Sequence, residues 1–281
     1  MSNDVVKLAK RIIPVSLHPI ARRLRALAGR PLTQRLRVCR YKRWSPFRGD
    51  SGKKAIKFVF IIAYGRSGST LLQKIIGSAD GFHIVGENNN ILHGLLASYH
   101  SAVEAKQTEG RHTRNQSGDP WRGIDLLNLK RYGQRLAEVF VEEVLQPPLR
   151  TKAVGFKETS YIDQLDTLEQ HLDYMRELFS PAFLIFNKRD IVATTNSRRR
   201  KWASSGTHID EVDEYCQKLQ TFDEKARMYA ATHPTDTLVV DYDQYTRDPD
   251  SLKALFALLG EPFNRSKIQQ ILSVRLDHSW S

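Results

Sequence analysis

IKFVFIIAYGRSGSTLL, running from Ile56 to Leu72, is the stretch on which the fold turns. From Ile56 to Ala63 it is apolar at almost every position, which predicts a strand buried on both faces of a parallel sheet. A helix is expected from Thr70 to Ser78. Between strand and helix, Gly65 and Gly68 let backbone N–H groups converge, and the helix amino terminus adds partial positive charge. Ser67, Ser69 and Thr70 supply hydroxyl donors, and Arg66 supplies a planar fork suited to phosphate or sulfate oxygens. The order strand, glycine-bearing loop, helix suits an anion; the plain alternative is a turn capped by a serine.

Outward from this stretch the chain keeps an α/β rhythm. Strands are expected at Phe82 to Val85, Ala153 to Phe156, Ala182 to Asn187 and Thr237 to Asp241. Helices are expected at Asn90 to Val103, Leu126 to Leu145, Gln164 to Leu178, Ile191 to Trp202, Ile209 to Thr232 and Asp250 to Leu259, the last closed by Gly260. Residues Lys106 to Gly123, polar and rich in Gly, Asn and Ser, read as a long mobile loop of the kind that covers enzyme sites. The reading is one α/β domain with a parallel sheet over residues 55–281, preceded by an arm over residues 1–54.

The net charge of +12 suggests a nucleic-acid binder until it is located. Residues 1–54 hold 15 of the 43 basic residues but only Asp4 and Asp50 of the acids, a net +13 that leaves the remainder at −1. Nucleic acid is therefore disfavoured as a partner of the body. The arm carries short amphipathic stretches broken by Pro14 and Pro19, suited to an anionic membrane surface through residues 1–48. Lys7, Lys10, Arg11 and the cluster at Arg22 interrupt every apolar run, so neither a spanning helix nor a signal-peptide core is present. A cytoplasmic chain, peripheral at a membrane, is the reading; an Arg-rich organelle transit peptide is the alternative. Cys39 and Cys216 form no metal-like spacing and no disulfide framework.

As a nucleoside-triphosphatase loop the motif fails, because the lysine of G-x-x-x-x-G-K-[ST] falls on Ser69 and its first glycine on Ala63. The segment GRSGSTLL instead resembles the 5′-phosphosulfate loop of sulfotransferases that use 3′-phosphoadenosine 5′-phosphosulfate (PAPS). A second signature of that family is an Arg at a strand end with a Ser eight residues on, and FLIFNKRDIVATTNS, Phe183 to Ser197, places Arg189 and Ser197 there. Ile191 stands where the family commonly has proline. The segment Val239 to Pro249 is similar to the family's strand and acidic stretch before its C-terminal helix, so the resemblance spans Ile56 to Phe263. It implies a P-loop-NTPase-like fold, with a central parallel sheet flanked by helices. It also implies PAPS as donor, held by Gly65, Arg66, Ser67, Gly68, Ser69 and Thr70 at its 5′ end and by Arg189 and Ser197 at its 3′-phosphate, with no metal. Geometry agrees that a strand-end Arg189 and a Ser197 two turns into the next helix can approach one anion.

For the chemistry, Glu87 in Val85-Gly86-Glu87-Asn88 is similar to the Gly-Glu base of tyrosylprotein and glycan sulfotransferases, 21 residues after Arg66. Its plain alternative is a helix cap. His83 and Glu158 are competing bases. Lys157, closing the strand from Ala153, matches a lysine that related enzymes point at the sulfuryl oxygens; its plain alternative is a surface pair with Glu158. Trp202 and Tyr245 are unassigned aromatics near the expected adenine site. The function implied is transfer of a sulfuryl group to a hydroxyl of an acceptor, a carbohydrate or glycolipid. A phosphotransferase using the same loop, and a non-catalytic protein binding anionic surfaces or nucleic acid, remain the alternatives.

Overall fold

The computed structural model describes residues 56–112, 114, 117–205 and 212–274, without the side chains of residues 201–205. The basic arm of residues 1–54, the helix start expected at Ile209 and the Trp202 side chain fall outside the described set.

Five strands form one parallel sheet: β1 (Lys57–Ala63), β2 (Phe82–Val85), β3 (Ala153–Glu158), β4 (Ala182–Lys188) and β5 (Thr237–Asp241), in the order β2-β3-β1-β4-β5. The α/β class and the central parallel sheet flanked by helices are as expected. The apolar run of β1 earns the middle place, since Phe58 to Ala63 are all 2% exposed or less. Gly155 of β3 faces Val59 of β1 so closely that a Cβ there would lie 1.6 Å from the Val59 carbonyl oxygen.

Alternate β1 residues serve two cores. Val59 and Ile61 pack with Leu71, Leu72, Ile75 and Ile76 of α1 (Ser69–Gly77), together with Leu255 and Phe256 near the C-terminus. Phe58 and Phe60 enter an aromatic cluster with Phe156 and Phe179, ring centroids 5.1–5.3 Å apart. The period of two in the strand thus builds a three-layer sandwich.

The chain leaves β1 toward β2, on one side, and leaves β4 toward β5, on the other. That reversal makes the crevice between the carboxyl ends of β1 and β4 the topological switch point, where α/β sheets receive ligands.

Helix bounds differ from the sequence reading where caps decide them. α2 runs Ile91–Thr108, so residues 106–108 are helix rather than loop. The expected loop over residues 106–123 therefore starts later, and its described residues from 109 on are turns and irregular chain, as expected. After α2, Arg114 pairs with Glu109 at 2.8 Å and lies 3.6 Å from Asp119. α3 (Leu129–Val139) starts late because Asn128 caps it, accepting from the Arg131 amide, and a π turn continues it over Phe140–Leu145. α4 (Leu168–Leu178), α5 (Ile191–Ser205) and α6 (Val212–Thr232) follow, then α7 (Tyr242–Arg247), α8 (Lys253–Leu259) and α9 (Arg265–Ser273). Gly260 ends α8 at φ 64, as its glycine suggested. No helix of the described residues is long and apolar enough to cross a membrane.

Candidate active site

The loop Tyr64 to Thr70 leaves β1 and enters α1 through Gly68, at φ 80. A Cβ at Gly68 would lie 2.1 Å from Cδ2 of Tyr242, so glycine answers both the backbone and the neighbouring ring. Arg66 also adopts a left-handed φ of 70, an uncommon conformation for a side-chain-bearing residue and one that clusters at ligand sites.

The loop is held from below. Ser67 is fully buried; its hydroxyl donates to the Tyr64 carbonyl at 2.7 Å, and the Asn187 amide donates to the Ser67 carbonyl at 2.8 Å. Ser67 thus spends its side chain on loop shape. Asn187 was missed by sequence reasoning, although one amide in the buried run AFLIFNK was the available signal.

Above the loop, Arg66 Nε donates to Ser197 Oγ at 2.9 Å, and Arg189 Nη1 donates to the Arg66 carbonyl at 3.0 Å. The two signatures, more than a hundred residues apart in sequence, therefore meet. The Arg189 guanidinium lies 4.6 Å over the Tyr242 ring, a cation–π contact that orients it. Asp190 does not pair with Arg189; its carboxylate caps α5 through the Ala193 amide at 2.7 Å.

These residues fit an anion. No side chain caps the amino end of α1 and no acid stands in its first turn, which contains Ser69 and Thr70. Arg189 Nε is closed off from solvent without a hydrogen-bond partner, a donor awaiting an acceptor.

At the β2 and β3 ends lies the second half of the site. Lys157 forms an ion pair with Glu87; the Lys157 side chain is only 6% exposed whereas that of Glu87 is 50% exposed. A buried ammonium needs such a partner, and the pair leaves the Glu87 carboxylate facing solvent. Glu87 is not the helix cap, for Asn88 Oδ1 accepts the Ile91 amide at 2.9 Å.

Nor does Lys157 pair with Glu158, which points to the opposite sheet face. Glu158 is fully buried and accepts from the amides of Asn88, Asn90, Thr159 and Ser160 at 2.8–3.2 Å. Burial pushes its carboxyl up, but those amides outweigh burial and hold it below the usual carboxylate range. It is a tie for the 88–90 turn. His83 Nε2 lies 3.0 Å from the Leu145 carbonyl, which can only accept, so that nitrogen carries the proton. Tyr245 is 1% exposed and sits in the core. Among the described residues no cluster of three or more His, Cys, Asp or Glu is placed to hold a metal ion.

The chain resembles known proteins in fold and in family. The chain is similar in structure to the sulfotransferase domain of the Synechococcus PCC 7002 olefin synthase, with TM-score 0.50 and 20% identity, over 83% of this chain and 82% of that one. It is also similar to a sulfotransferase domain from the curacin biosynthetic pathway (TM-score 0.46, 15% identity, 79% and 80% covered). A sulfotransferase from Alicyclobacillus acidocaldarius gives TM-score 0.44 and 14% identity, with 76% and 88% covered. Curated proteins give no significant match. The model of the sulfotransferase family matches residues 59–265, from the middle of β1 to the start of α9 and across every site residue above. The chain belongs to the sulfotransferase family.

Proposed function

We propose that this chain transfers the sulfuryl group of PAPS to a hydroxyl of a carbohydrate or glycolipid acceptor. The observation that carries the reading is the meeting of Arg66, Arg189 and Ser197 over an uncapped helix end at the switch point, with Arg189 Nε lacking a partner. Gly65, Arg66, Ser67, Gly68, Ser69 and Thr70 would hold the 5′-phosphosulfate, chiefly by backbone amides, the Arg66 fork and the Ser69 and Thr70 hydroxyls. Arg189 and Ser197 would hold the 3′-phosphate. When bound, the donor supplies an electrophilic sulfur and its own leaving group.

Glu87 acts as general base. The acceptor oxygen attacks sulfur as its proton passes to the Glu87 carboxylate, and the bond from sulfur to the 5′-phosphate oxygen breaks, leaving adenosine 3′,5′-bisphosphate. Protonation of Glu87 removes the charge that holds Lys157, so the ammonium is released toward the negative charge growing on the leaving oxygen just as it is needed. Similarity of the Gly86-Glu87 segment to glycan sulfotransferases supports the acceptor class, and the +13 charge of residues 1–54 supports a cytoplasmic chain resting on an anionic membrane through residues 1–48.

The test is transfer of labelled sulfur from PAPS to a panel of glycans and glycolipids in chelator. Label in a hydroxyl-bearing acceptor is expected. Absence of label, with phosphate transferred from ATP and Mg²⁺ instead, would overturn the reading in favour of a phosphotransferase.

A further inference from the structure

Glu87, the proposed base, stands just beyond the end of β2, half-exposed, with Lys157 of β3 as its ion-pair partner. The turn after it is strained: Asn89 and Asn90 take left-handed φ values of 57 and 55 in succession, and neither is glycine. Asparagine tolerates that region better than most residues, but two in a row persist only where the surroundings hold them.

The two oxygens of the buried Glu158 carboxylate serve different turns. Oε2 accepts from the amides of Asn88 at 3.2 Å and Asn90 at 2.9 Å, in the turn after β2. Oε1 accepts from the amides of Thr159 at 2.8 Å and Ser160 at 3.2 Å and from the Ser160 hydroxyl at 3.1 Å, in the turn after β3. The side-chain amide of Asn90, itself buried, donates to Gln164 Oε1 at 2.7 Å, a second tie between the segments that follow β2 and β3. Lys157 and Glu158 are neighbours in β3, so their side chains leave opposite faces of the sheet. One takes the Glu87 carboxylate and the other takes the backbone just beyond it, so two consecutive residues of one strand end clasp the segment from Glu87 to Asn90.

We infer that Glu158, Asn90 and Gln164 are positioning residues for sulfuryl transfer: they hold the turn after β2 so that the Glu87 carboxylate stands at a fixed place beside Lys157, and they act through Glu87 rather than on donor or acceptor. The inference rests on Glu87 being the base. Every group that Glu158 meets here is a donor, so a glutamine, whose amide nitrogen must face one of the two turns, can serve only the other. Misplacing a reacting group by about 1 Å can cost about 100-fold in rate.

The test on the full chain is transfer from labelled PAPS to the panel of glycans and glycolipids, read as kcat and KM, beside calorimetric binding of adenosine 3′,5′-bisphosphate. Glu158→Gln should lower kcat about 10–100-fold and Gln164→Ala about 3–10-fold, with bisphosphate affinity within about two-fold of wild type in both. Asn90→Gly, which keeps the left-handed turn and the amide to Glu158, should retain more turnover than Asn90→Ala. The double variant decides: added to Glu87→Gln, Glu158→Gln should lower kcat by less than about two-fold more, because a residue that works through the base then has nothing left to position. Losses that multiply in the double variant, or kcat losses matched by equal losses of bisphosphate affinity, would make Glu158 a general support of the fold and overturn the inference while leaving the donor assignment standing. Wild-type turnover in Glu87→Gln would remove the base assignment, and a wild type that labels nothing in the panel would remove the proposed function; either would take this inference with it.

Discussion

The two halves of the site are built in opposite ways. On the proposed donor side, the loop after β1 is fixed before any ligand arrives: Ser67 is tied to Tyr64 and Asn187, Gly68 is pressed on Tyr242, and Arg189 grips the Arg66 carbonyl. On the proposed acceptor side, one ion pair joins a buried Lys157 to a half-exposed Glu87, and the turn after Glu87 is held by the buried carboxylate of Glu158 and by Asn90 donating to Gln164. Binding an anion demands converging amides held still, since reorganising them would cost affinity. Moving a proton demands a base that can release its partner at the right moment. Rigidity therefore belongs with the donor and a breakable pair with the acceptor.

The largest effect should appear where the pair is broken. Glu87→Gln keeps the shape and removes the proposed base, so kcat should fall by about 10²–10⁴ while the donor dissociation constant stays within about two-fold. Equal losses in both would mean that the halves are not separable. Next, Arg66→Ala removes the proposed charged contact to the phosphosulfate together with the tie to Ser197, and donor affinity should fall by about 1.5–3 kcal/mol, roughly 10–150-fold. Arg189→Ala should weaken adenosine 3′,5′-bisphosphate by about ten-fold and barely alter adenosine 5′-phosphosulfate, which lacks the 3′-phosphate. A loss shared by both nucleotides would move Arg189 from ligand to loop support.

Glu158→Gln sharpens the contrast through stability. The folded carboxyl is held below its usual value, so the charged form adds stability above the unfolded pKa, and that contribution fades as pH falls through the folded value. The variant should be less stable by about 1–2 kcal/mol near neutrality, the difference shrinking in acid, as denaturant titration at two pH values would read. A gap that persists undiminished in acid would assign the cost to packing.

The loop after β1 and its meeting with Arg189 and Ser197 were legible because their signals are local. A buried strand, two glycines and an arginine fall within twelve residues, Lys57 to Gly68, and Arg189 and Ser197 within another nine. The sheet was legible for the same reason, through apolar runs whose length marks strands. What sequence did not show lies in long-range pairings: Asn187 under Ser67, Tyr242 against Gly68, and Glu158 gathering the amides of residues 88 and 90 from 68 to 70 positions away. Such contacts leave no period and no spacing. The ion pairs of Arg114 with Glu109 and Asp119 escaped for a related reason, since Arg114 reads as one more polar residue until its two acids are found beside it.

The most direct measurement is calorimetric binding of adenosine 3′,5′-bisphosphate to the full chain in chelator, set against ATP with Mg²⁺. A crevice made by Arg66, Arg189, Ser197 and the α1 amino end should bind the bisphosphate without metal, and Arg66→Ala and Arg189→Ala should each weaken it at least about ten-fold. Binding of ATP in preference to the bisphosphate, or bisphosphate binding indifferent to both arginines, would contradict the PAPS site.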